Sequence, residues 1–208
     1  MAYSHFTSLQ SIKQKFHLTI DENTDLFASV NEVEVSQFLA ETLKENIPLA
    51  LAIHTEKARS ELIIMPLLVE LRKLLNHQIS LFSGVDFEVD PPQGLTGVCD
   101  FIVCRSTEQF FISAPILVIV EAKNENIKGG LGQCMAAMIA AKLFNEREGN
   151  DLAMVYGAIT TGNIWRFVKL EKDTAFIDRR EYYIERVGKI LGILLNMVGL
   201  ETQVYAKV

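Results

Sequence analysis

A chain of 208 residues, 49% of them hydrophobic, is long enough to bury one sizeable core and reads as a single domain over 1–208. Its three cysteines, Cys99, Cys104 and Cys134, are odd in number and lack CxxC spacing, which argues against a disulfide framework or a zinc site and leaves them as small buried hydrophobes. The net charge of −6 weakens nucleic acid as a partner without removing it: residues 1–56 hold eight acids against three bases, whereas the remaining 18 acids and 17 bases nearly cancel and can still form a local basic groove.

No repeat or low-complexity linker interrupts the chain. Its longest apolar runs, ILVIV and LGILLNMVGL, are too short or too interrupted to span a bilayer, and MAYSHFTSLQ lacks a charged region followed by an apolar one. No membrane association and a cytoplasmic location are therefore expected.

In chain order, residues 31–45 read as a helix. Residues 48–76 read as a long apolar helix or helix pair that Pro66 can kink. Strand-like LFSGVDFEV follows, then a PPQG turn, VCDFIVC and PILVIVEAK. Beyond KGG, the run LGQCMAAMIAAKLFNERE is rich in Ala, Met and Leu and predicts a helix. LAMVYGAITT and IWRFVKLE, separated by a Gly-Asn turn, predict a hairpin. REYYIERVGKILGILLNMV carries apolar residues at helical spacing. The order helix, three strands, helix, two strands, helix describes an α/β fold with a mixed sheet flanked by helices.

Charged residues stand out against this frame. In PILVIVEAKNEN, five aliphatic residues suit a strand buried on both faces, yet Glu121 and Lys123 sit at its end, two residues apart and therefore on one side. Opposite charges at the end of an apolar strand are costly unless something uses them. Asp100 interrupts the apolar strand VCDFIV, and strands adjacent in sequence usually pair, which brings Asp100 towards Glu121. Two such carboxylates repel unless a divalent cation bridges them, and oxygen-only ligation suits Mg²⁺ or Mn²⁺. Lys123 on the same face is suited to orient a water or to stabilise charge on a phosphoryl oxygen.

The order Asp100, about twenty residues, Glu121-Ala122-Lys123 at a strand end, then a helix bearing Gln133, resembles the PD-(D/E)xK nuclease superfamily. The nearest likeness is to the N-terminal nuclease domain of type I restriction-enzyme motor subunits. The resemblance implies a restriction-endonuclease-like mixed β-sheet flanked by helices, with a nuclease-like core over about 54–170. Residues 1–53 and 171–208 are then N- and C-terminal helical extensions without counterpart. It implies Asp100, Glu121 and Ala122 as the metal set, Lys123 as the group that assists the attacking water, and Gln133 as support from the next helix. The string HTEKARSELIIMPLL resembles the family's first core helix, with Glu56 and Arg59 matching its Glu-x-x-Arg start. Glu61 is the rival of Glu56; the two are five residues apart, about 140° around a helix, so only one can face the site. The chain departs from the family pattern in having Cys99, not Pro, before Asp100, and it holds no P-loop or helicase segment.

The activity implied is Mg²⁺- or Mn²⁺-dependent hydrolysis of phosphodiester bonds, with DNA as partner. The alternative of a different class is a catalytically silent relative that serves as a binding or assembly module. Such a module would dimerise through the aliphatic face of residues 184–198; a compact nuclease often needs two copies as well, and Tyr182, Ile184, Val187, Ile190, Leu191 and Leu194 form an apolar stripe suited to a homodimer, unless this helix packs on its own domain. The plainest reading is a structural α/β protein in which Glu121 and Lys123 form an ordinary solvated pair. His5, His17, His54 and His77 show no ligand spacing, and Trp165 reads as core.

Overall fold

The apolar run that suggested a doubly buried strand forms β4, Ile116–Ala122, every residue of it buried. The computed structural model describes residues 2–150 and 152–199. In it β4 lies between β3 (Val98–Cys104), which is antiparallel to it, and β5 (Met154–Thr160), which is parallel. β2 (Ser80–Asp86) pairs with the far side of β3. Beyond β5 come β6 (Ile164–Glu171), β7 (Thr174–Ile177) and β1 (Thr19–Asp21), the last parallel to β7. The order of this mixed sheet is β1-β7-β6-β5-β4-β3-β2, and an eighth strand, β8 (Tyr182–Tyr183), also pairs with β6.

Helices cover both faces, and strand alternation divides the core between them. On one face Phe101, Val103, Val118, Val120 and Phe167 meet α2 (Gln37–Ile53), α4 (Met65–Leu74) and α6 (Val187–Val198). On the other, Ile102, Ile116, Ile119 and Val168 meet α1 (Leu9–Phe16) and α5 (Ile127–Arg147). Each fully buried Val or Ile contributes on the order of 1.5–3 kcal/mol, so the central strands anchor everything attached to their ends. Small residues let α5 approach closely: a Cβ on Gly132 would lie 2.4 Å from the Phe6 carbonyl oxygen. Among the described residues no helix is long and apolar enough to cross a membrane.

The helices before the sheet differ from the sequence reading in their boundaries. α2 starts at Gln37, where the Ser36 hydroxyl caps it by accepting from Leu39 N–H, and it runs through Pro48. Pro48 and Lys44, one turn earlier, are both exposed, so water can take the carbonyl that proline leaves without a donor. The break comes later, at His54, whose φ of 58° is left-handed, and at Thr55, which caps α3 (Glu56–Arg59) by accepting from Ala58 N–H. A π turn, Ser60–Ile64, joins α3 to α4. Pro66 lies just beyond it, and the Leu62 carbonyl four residues back accepts instead from Asn46 Nδ2 at 2.9 Å.

Neither flanking extension is purely helical. β1 lies in residues 1–53, while β7 and β8 lie in residues 171–208, and all three join the sheet. The predicted C-terminal helix also shortens. Tyr182 belongs to β8, Ile184 opens a 3₁₀ turn, and α6 begins only at Val187. Ile190, Leu191 and Leu194 are fully buried in the chain's own core. Residues 27–33 strap across α6, with Lys189 Nζ donating to the carbonyls of Phe27 and Val30. Most of the apolar stripe is thus packed against the chain's own core, while Val187 is only partly buried. The rest of the C-terminal extension, 200–208, lies outside the described residues.

Candidate active site

The acidic pair forms where β3 and β4 run out together. Phe101 faces Val120 across the ladder, so Asp100 and Glu121 are the next positions along the two strands. One Asp100 oxygen, Oδ2, accepts the Ala122 N–H at 2.8 Å. This bond fixes the Asp100 side chain against the end of β4. Glu121 is only 1% exposed. Burial, reinforced by the neighbouring Asp100 charge, pushes its pKa up to about 8, even though Lys123 pulls the other way.

Lys123 is fixed from both ends. Its backbone N–H donates to the Thr160 carbonyl at 2.8 Å, which extends the β4–β5 pairing by one residue. Its Nζ donates to Glu121 Oε1 at 2.5 Å and to the Ala122 carbonyl at 2.8 Å, and lies 4.0 Å from Glu56 Oε2. Burial disfavours the ammonium, but Glu121, Glu56 and Asp100 together outweigh it and raise the Lys123 pKa. The stem rests on Gly130 of α5, where an added Cβ would come 2.8 Å from Ile159 Cγ2 and 3.1 Å from Lys123 Cγ. Asn126 sets the start of α5 by accepting from Gly129 N–H at 2.8 Å.

The start of α3 closes the cluster. Glu56 occupies its first turn and points to Lys123, whereas Glu61, on the π turn, pairs with Lys57 at 3.0 Å on the exposed side. The structure therefore brings Glu56, not Glu61, to the acid–lysine group. Gln133 is half-buried on α5, three residues beyond Gly130, and none of the described hydrogen bonds ties it to Asp100, Glu121 or Lys123. Trp165 is fully buried and donates its Nε1–H to the Gly162 carbonyl at 3.0 Å.

Beside Glu56, Arg59 is 6% exposed. Its Nε donates to Asn124 Oδ1 at 3.1 Å and its Nη1 to the Thr161 carbonyl at 2.9 Å; Nη2 lies 3.4 Å from His54 Nδ1. His54 Nε2 in turn meets Glu125 Oε1 at 2.9 Å. This clamp ties α3 to the ends of β4 and β5. Apart from Arg59, which matches the Glu-x-x-Arg pattern, and His54, which shows no ligand spacing, its members carry no motif in the sequence. Asn124 and Glu125 directly follow Glu121-Ala122-Lys123, and that adjacency was the only available signal.

The residues named for a metal fit a hard cation in donor type. Asp100 and Glu121 offer carboxylate oxygens, and Ala122 can offer only its carbonyl, which here accepts from Lys123. Mg²⁺ commonly uses one or two carboxylates and takes its remaining oxygens from water and substrate phosphate. Among the described residues no three His, Cys, Asp or Glu side chains are gathered closely enough to hold an ion by themselves. Three carboxylates around one ammonium still leave negative charge in excess, which favours a cation. No family model, curated protein or solved structure matches this chain.

Proposed function

We propose that this chain is a metal-dependent nuclease of the PD-(D/E)xK, restriction-endonuclease-like type, which uses Mg²⁺ or Mn²⁺ to hydrolyse phosphodiester bonds in DNA. The observation that carries this reading is the convergence of Asp100, Glu121 and Lys123 at one end of β4, on strands too well packed to let the group disperse. When bound, the cation supplies Lewis acidity and a more acidic water.

The chain's own residues do the rest. Asp100, with Oδ2 held by the Ala122 N–H, keeps Oδ1 for the ion. Glu121 is held protonated more readily than an exposed carboxylate, so loading the site means releasing that proton. Lys123 Nζ, once exchanged off Glu121, orients the attacking water and offsets charge building on the phosphoryl oxygens. Glu56 keeps the ammonium charged and near the site, and Gln133 on α5 is the remaining candidate for support. The test is cleavage of plasmid, duplex and single-stranded DNA with and without Mg²⁺ or Mn²⁺. Cleavage that depends on metal and disappears in Asp100→Asn is the expected result; metal-independent or absent cleavage contradicts the proposal.

A second reading has its own observation. Lys123 Nζ already bonds Glu121 and the Ala122 carbonyl, so Glu121 has a partner from within the chain, as it would in a catalytically silent binding or assembly module. A wild type that cuts no DNA or RNA with any divalent metal favours that reading.

A further inference from the structure

Next to the acid–lysine group, on the far side of Arg59, a pocket of about 420 Å³ is lined by Arg59, Asn124, Thr161, Asn163, Tyr183 and Glu185 among others. Its volume falls within the roughly 300–1,000 Å³ of small-ligand sites. Asn163 Oδ1 is buried and has no hydrogen-bond partner, one of three such side-chain oxygens among the described residues. A buried acceptor of this kind calls for a donor from elsewhere.

The turn that carries Asn163 is rigid. Thr160 Oγ1 donates to the Ile164 carbonyl at 2.9 Å and accepts from Gly162 N–H at 2.8 Å, and Thr161 Oγ1 accepts from Ile164 N–H at 3.2 Å. Gly162, at φ 81°, supplies the left-handed step. The backbone that carries Asn163 is thereby fixed. Tyr183, on β8 opposite Ile164, presents a half-exposed ring to the same pocket. Asn124 has its oxygen taken by Arg59, which leaves its amide as a donor.

These groups match one ligand chemistry. An orphan acceptor, an amide donor and an aromatic face together suit a planar ring with N–H and acceptor edges. An anion is poorly suited, because Glu125 and Glu185 line the pocket alongside the single guanidinium of Arg59, whose donors are already largely used. The pocket also adjoins the candidate chemistry directly: Asn124 follows Lys123, and Arg59 lies one helical turn from Glu56.

We propose that this pocket receives an unpaired nucleobase of the strand whose phosphodiester lies at Lys123, stacked on Tyr183 and bonded through Asn163 and Asn124, so that the substrate is single-stranded or locally unpaired. A base inside an undistorted duplex cannot reach such a pocket. This inference rests on the nuclease reading above for the identity of the strand.

The test measures binding in EDTA, where no cleavage occurs. Fluorescein-labelled 12-mer DNA, as a single strand and as a blunt duplex, is titrated with wild type, Asn163→Ala, Tyr183→Ala and Tyr183→Phe. Wild type binds the single strand more tightly than the duplex. Asn163→Ala and Tyr183→Ala each lose about tenfold on the single strand, the scale expected for one stacked base, with unchanged melting temperatures. Tyr183→Phe, which keeps the ring, binds like wild type. A single-stranded RNA 12-mer that loses affinity in parallel supports base recognition and extends it to RNA. Wild-type preference for duplex, or Ala variants that bind the single strand normally, overturns the pocket. Wild type that cleaves with Mg²⁺ while the variants bind normally sinks the pocket alone; variants that lose single-strand binding in a protein that never cleaves sink the nuclease reading alone.

Discussion

Of the buried carboxylates among the described residues, Glu121 and Asp178 both have pKa values raised first of all by burial, yet they are held in opposite ways. Asp178 has no exposed surface, and neighbours beside it in the chain satisfy it: Arg180 N–H donates to Oδ1 at 3.2 Å and the Tyr182 hydroxyl to Oδ2 at 2.9 Å. Glu121 instead relies on the ammonium of Lys123, which it shares with the Ala122 carbonyl, next to a second carboxylate. Neutral donors stitch the loop around Asp178 into the fold. An ammonium at the end of a sheet, by contrast, can be exchanged for another cation. Burial alone thus does not mark a functional acid; the kind of partner does.

The comparison breaks most sharply at Lys123. Lys123→Ala should lower metal-dependent cleavage by orders of magnitude while leaving fold and most metal binding intact, because the carboxylates remain. If Lys123 were half of a structural pair, the variant would lose stability and keep its activity; cleavage and thermal unfolding on one preparation separate the two outcomes.

Next in size is the pH dependence of stability. The Glu121 pKa, raised to about 8 from an ordinary 4.5, means the folded state binds the proton more tightly than the unfolded one. Its contribution to stability is therefore full below about pH 4.5 and falls as pH rises towards 8. In metal-free buffer, Glu121→Gln should flatten that decline relative to wild type when melting is followed from pH 5 to pH 8.5. Parallel curves would show that Glu121 is not the group responsible.

A smaller effect separates the rival glutamates. Glu56→Gln should reduce metal-dependent turnover several-fold through Lys123, while Glu61→Gln, which only frees Lys57 at the surface, should leave it unchanged. The reverse order would move the role to the π turn. On the structural side, Tyr182→Phe removes one neutral hydrogen bond to Asp178 and should cost about 1 kcal/mol without altering cleavage.

Much of this arrangement could be read from the chain because its signals are local. Seven residues of β4, the apolar run of β3, and the β5–β6 hairpin lie within short windows, and pairing of adjacent strands places Asp100 beside Glu121. β1 and β7, with three and four residues, are too short to carry a period. The apolar stripe near the C-terminus has the same spacing whether it meets a second copy or its own core, and packing against the core emerges only in the tertiary structure. Pro48 reads as a helix start, yet an exposed helix face tolerates it. The clamp around Arg59 draws on His54, Asn124 and Thr161, up to 102 positions from Arg59 in sequence, which no local pattern can join.

The central claim is that Asp100 and Glu121 share one cation, and thermal unfolding with and without Mg²⁺ or Mn²⁺ tests it most directly. A ligand that binds only the folded state raises the melting temperature. The account predicts a rise in wild type that is lost in Asp100→Asn, while an equal rise in the variant would contradict the shared site.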